Sequence, residues 1–115
     1  MVVLFAEALS RLQSPNCGTC RYRFGPASFD DEEDYDKLGR WYADAVAALT
    51  NDFGPPLEPP PQIAEPIDAE KVACWRRPGG MAFVLLAWED NTRVRYLEVG
   101  LAARGTMFAG CWTPR

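Results

Sequence analysis

Two cysteines separated by two residues, Cys17-Gly18-Thr19-Cys20, form the one motif in this chain with a mechanism attached. That spacing lets both sulfurs reach a single zinc ion, or lets them close a redox-active disulfide. A zinc site needs two further ligands, and Cys74 and Cys111 are the cysteines that remain. Their wide, irregular spacing departs from the two tight pairs of structural zinc sites. Both also sit in apolar contexts, Ala73-Cys74-Trp75 and Gly110-Cys111-Trp112, where a thiol behaves as a small hydrophobe. A redox pair belongs just after a strand, at the start of a helix. Here a helix and Pro15 precede the pair instead. The simplest expectation is four thiols and no cofactor, with zinc on Cys17, Cys20, Cys74 and Cys111, or thiol redox chemistry, as the alternatives.

The chain contains no histidine. Absent with it are the usual general base, the usual activator of serine and cysteine nucleophiles, and the commonest metal ligand. Carboxylate chemistry is left, and Glu89 with Asp90 is the candidate pair for an enzyme. Neighbours along a strand point to opposite faces, however, so a turn would have to bring the two together. The run Asp30, Asp31, Glu32, Glu33 and Asp34, followed by Asp36, has the carboxylate density of a calcium loop but contains no glycine. A calcium loop needs that glycine for its sharp turn. The run reads instead as acid leading a helix, and as a surface for a basic partner.

Arg76, Arg77, Arg93 and Arg95 flank two expected turns, beside Trp75 and Trp88. Basic groups interleaved with aromatics bind single strands of nucleic acid by stacking. The chain as a whole carries a formal charge of −4, from sixteen acids against twelve bases, which disfavours a polyanionic partner. Arginines pairing across strands with Glu89, Asp90 or Glu98 account for the same residues more simply.

The elements that must position these groups follow from periodicity. Leu4, Phe5, Ala8, Leu9 and Leu12 share one helical face, and Ser14-Pro15 ends that helix. Residues 16–27 read as loop, with a possible extended piece at Arg21-Tyr22-Arg23-Phe24. From Asp34 to Phe53, Leu38, Trp41, Tyr42, Ala45, Val46, Leu49 and Phe53 recur at steps of three and four, which predicts a long amphipathic helix. Gly54-Pro55-Pro56 stops it. Residues 54–68 hold six of the ten prolines and read as an extended crossing. Its Pro56-x-x-Pro59 step lacks a flanking basic residue, so a stiff connector explains it better than a ligand for a proline-reading groove.

Beyond the crossing the pattern changes to strands. Lys71–Arg77 is followed by Pro78-Gly79-Gly80, a turn, and Met81–Glu89 is a nearly unbroken apolar run expected to be a central strand buried on both faces. Asp90-Asn91 is a hairpin turn. Arg93–Leu101 places Leu97, Val99 and Leu101 on one face, and a last strand is plausible over Thr106–Trp112.

The fold class expected is therefore α+β, with one or two helices on one face of a three- to four-stranded antiparallel β-meander. The expected division is a helical half over 1–53, the proline-rich crossing over 54–68 and the meander over 69–113. With 115 residues one domain and one core are expected. No run approaches the ~20 apolar residues of a membrane span. Glu7 and the lack of leading positive charge speak against a signal peptide. A reducing cytoplasm of the bacterial kind suits four cysteines.

The function expected is a small, acidic, non-enzymatic protein-interaction domain. Immunity proteins and secretion chaperones are analogies of class for a binder of a basic protein. Candidate partner-binding residues are Asp30, Asp31, Glu32, Glu33, Asp34, Arg76, Arg77 and Arg93. Homodimerisation through an exposed sheet edge is a further possibility.

Overall fold

A computed structural model describes residues 4–14, 20–58, 68–78, 80–89 and 93–103. Helix α1 spans Phe5–Gln13 and buries Ala8 and Leu12. Ser14 ends it in an extended conformation, as a residue before proline must. Helix α2 spans Glu32–Phe53 and buries Leu38, Ala45 and Leu49, the centre of the apolar stripe. It begins two residues earlier than the stripe alone indicates. Asp31 is its N-cap and accepts a hydrogen bond from the Asp34 backbone N–H, while Glu32, Glu33 and Asp34 lie at the positive end of the helix dipole.

Strands β1 (Cys20–Ser28), β2 (Asp68–Arg77), β3 (Gly80–Glu89) and β4 (Val94–Ala103) form one antiparallel sheet in the order β1-β4-β3-β2. The class is α+β, with both helices against the sheet. β2, β3 and β4 are the expected meander. The fourth strand, by contrast, comes from the N-terminal half: residues 20–28, read largely as loop, pair with β4 along most of their length. The strand suggested over 106–112 lies outside the described residues.

β1 carries a period-two pattern that explains its place. Cys20, Tyr22 and Phe24 pack towards the helices, and Arg21 and Arg23 point to the other face, where both meet Glu98 of β4. At Gly25-Pro26, joined by a cis peptide, the ladder skips from Phe24↔Leu97 to Ala27↔Arg95, a bulge. Gly25 has φ +101, a region that residues with a Cβ rarely adopt.

The sheet is buried on both sides. Ala73, Trp75, Ala82, Val84, Leu86, Leu97, Val99 and Leu101 form the core under α1 and α2. Cys74, Met81, Phe83, Leu85, Ala87, Tyr96 and Ala102 form a second cluster on the opposite face, with Leu57 against it. β3 alternates between the two, which is why its sequence is apolar without a break. Its first eight residues are all buried.

Candidate protein-interaction surface

The chain leaves β1 at Ser28 and turns sharply into α2. Phe29 N–H donates to the carbonyl of Arg93 (2.7 Å), and Asp31 N–H to that of Ser28 (2.9 Å). Asp30 N–H reaches the Ser28 hydroxyl oxygen at 3.3 Å. These bonds hold the backbone of the turn. Asp30, Asp31, Glu32, Glu33 and Asp34 all stand in solvent. Phe29 is 66% exposed among them, its ring edge-on to Tyr35 at 5.6 Å.

Behind Phe29 lies a buried polar anchor. Arg95, whose side chain is only 11% exposed, pairs with Glu70 of β2 at 2.7 Å. It also donates to the Tyr35 carbonyl at 2.8 Å and lies 4.4 Å from the centre of the Tyr35 ring. Trp88 Nε1–H donates to the Tyr35 hydroxyl at 3.1 Å. Gly39 makes room for this: a Cβ there would sit 3.4 Å from the Arg95 guanidinium. The first turns of α2 are thus fixed to β4 and β2 through one arginine.

Next to this anchor a cleft of about 240 Å³ opens between α2 and the bulge of β1, lined by Phe24, Gly25, Pro26, Ala27, Leu38 and Trp41 with Asp34 and Lys37. Lys37 Nζ is 3.8 Å from Asp34 and 4.8 Å from the centre of the Trp41 ring. Phe5 of α1 stacks on that ring at 4.7 Å, and Phe24 meets it edge-on at 5.8 Å. The rim is charged and the walls are apolar.

The residues proposed from sequence separate into two groups. Asp30 to Asp34 come together, with Arg93 beside them through its bond to Phe29. Arg76 and Arg77 do not join Arg93, because they end β2 and Arg93 precedes β4 at the other end of the sheet. Strands of ten residues at ~3.3 Å per residue separate the ends by roughly 30 Å. Arg77 instead covers Phe53 at the C-terminal end of α2, 4.0 Å from the ring centre. Trp75 is 2% exposed and donates to the Gly54 carbonyl at 2.8 Å, so it belongs to the core and is no platform for a base.

Cys20 and Cys74 lie on opposite outer strands and face opposite sides of the sheet, three inter-strand spacings or roughly 14 Å apart. One ion cannot bind both in this arrangement. Cys17 and Cys111 lie outside the described residues. Among the described residues no three of Cys, Asp and Glu gather as a metal site. Glu89 is paired with Arg23 at 3.0 Å, and Asp90 lies outside the described residues.

A second polar feature sits on the sheet face away from the helices. The Glu98 side chain is 4% exposed and meets Arg21 at 2.8 Å and Arg23 at 3.4 Å. Arg23 also lies 4.1 Å from the centre of the Tyr96 ring. Burial pushes the Tyr96 phenol up from its ordinary pKa, against the pull of Arg23.

Charge reasoning on the sequence found the acidic turn and named Arg95, though not its partner Glu70, and missed Phe29 and the cleft. The signal for Phe29 was a large aromatic just ahead of the acidic run, outside any apolar stripe. The cleft had no signal, since its walls come from segments that meet only in the fold. Comparison with protein-family models, with curated proteins and with solved structures finds no match.

Proposed function

We propose that this chain is a non-enzymatic interaction domain that binds a basic protein through the N-terminal end of α2. One observation carries the reading: Phe29, 66% exposed, stands in a hydrogen-bonded turn among five solvent-facing carboxylates. A large aromatic left mostly in water gives the fold little beyond its edge contact with Tyr35, whereas at an interface it is the side chain that most often dominates affinity. The surrounding acids supply a negative field, which speeds association with a basic surface and rejects acidic ones. Of the pair considered for carboxylate catalysis, Glu89 is held by Arg23 at 3.0 Å.

The test is affinity capture from the source lysate at low salt, followed by titration calorimetry with the purified partner. A basic protein is expected. Phe29→Ser should weaken binding roughly thirtyfold, the lower limit for a hot-spot residue. The triple variant Asp30→Asn, Glu32→Gln, Glu33→Gln should weaken it and flatten its salt dependence. Unchanged affinity in both variants would overturn the proposal.

A further inference from the structure

We infer that the cleft between β1 and α2 seats one apolar side chain of that basic partner, so that cleft and acidic turn together read a basic segment carrying an aliphatic or aromatic anchor. This deepens the function proposed above and rests on it. Three features of the cleft lead here. The first is size. At about 240 Å³ it falls below the roughly 300–1,000 Å³ of clefts that enclose a small molecule, and it suits a single large side chain.

The second feature is the lining. Phe24, Pro26, Ala27, Leu38 and Trp41 offer apolar surface, and two of these walls are fixed in advance. Leu38 is 3% exposed within the core, and Trp41 is held by Phe5 and Phe24. A preformed wall costs little ordering when an occupant arrives.

The third feature is charge. Asp34 belongs to the acidic run and to the rim of the cleft, where Lys37 also stands, so the field that attracts a basic segment extends to the edge of the apolar walls. Lys37 holds a cation over Trp41, and its side chain is 42% exposed, so an arginine or lysine of the partner reaches the ring by displacing it while its neighbour enters the cleft.

The probes are two short lysine-rich peptides of equal charge, one with phenylalanine and one with alanine at a single central position. Calorimetry at low ionic strength gives affinities, and amide and indole NMR shifts locate the site. The phenylalanine peptide should bind about tenfold tighter, the gain from withdrawing most of one apolar side chain from water. Its shifts should centre on Trp41, Leu38 and Phe24. Asp34→Asn should weaken both peptides by a similar factor and keep their ratio. Asp34→Trp, whose ring can fill the cleft from an exposed helix position, should bring the ratio to about one. Equal binding of the two peptides to the unaltered chain, with shifts on the acidic turn alone, would overturn the cleft and leave the acidic surface standing. No binding of either peptide would overturn both.

Discussion

Two sets of carboxylates in this chain have been put to opposite uses. Glu98 is buried and Glu70 partly buried, and both are tied to arginines, at 2.8 Å and 2.7 Å. Asp30 to Asp34 stand in solvent, and the ion pair that Asp34 makes with Lys37 is long at 3.8 Å. A buried carboxylate without a partner is costly, so the inner set serves the fold only while its arginines are present. The outer set loses little in water and projects its charge outwards. Removing one member of each kind should therefore have very different consequences.

The largest effect is expected at the inner set. Arg95→Met strands Glu70 and removes the tie between β4 and the first turns of α2. Loss of about 3 kcal/mol of stability is expected in urea unfolding. A loss below ~1 kcal/mol would mean that Glu70 reaches water without its partner. Gly25→Ala probes the wall that Arg95 supports: the new Cβ meets the Arg95 carbonyl at 3.1 Å, at φ +101. About 2 kcal/mol should be lost by the same measurement.

At the outer set the sign of the comparison reverses. Glu32→Gln with Glu33→Gln should cost only about 1 kcal/mol, the lost interaction of two exposed charges with the helix dipole, while partner binding falls. If that variant unfolds as readily as Arg95→Met, the acids are structural and the distinction fails.

Alkaline pH sharpens the contrast. Burial, and then the Cys74 thiol, push Tyr42 up from 10.0 to about 12. Its contribution is fully present below pH 10. Between pH 10 and about 12 the unfolded chain has already released a proton that the folded chain still holds, so stability falls as pH rises through that window. Tyr42→Phe should reduce this fall, read as the difference between the two unfolding curves, and should remove the last phenolate component of an absorbance titration. Equal curves would place Tyr42 in water, on the side of the outer acids.

Much of this arrangement is legible in the sequence wherever one periodicity runs unbroken. The stripe from Leu38 to Phe53 becomes α2 because a helix of that length needs only one apolar face. Met81–Glu89 becomes β3 because only a central strand tolerates apolar residues at every position. β1 was obscured by Gly25-Pro26, which punctuates a sequence in the same way whether it ends a strand or merely bulges it. Arg95 resembles any strand arginine until β4, β2 and α2 close around it, and Glu70, its partner, is 25 residues away along the chain. The acidic turn was visible as charge, but the exposure of Phe29 depends on where the turn directs it. The cleft is a product of tertiary contact alone.

The pairing of β1 with β4 also has a consequence for how the chain is made. Ser28 and Val94 are partners in the sheet, so β1, once it has left the ribosome, must wait for β4. At about 5–20 residues per second that interval is roughly 3–13 s. Throughout it Tyr22 and Phe24 have no sheet to join, and the helix side of the core lacks one wall. The four-stranded sheet therefore joins segments from both sides of the proline-rich stretch, and it can be completed only after translation has passed Ala103.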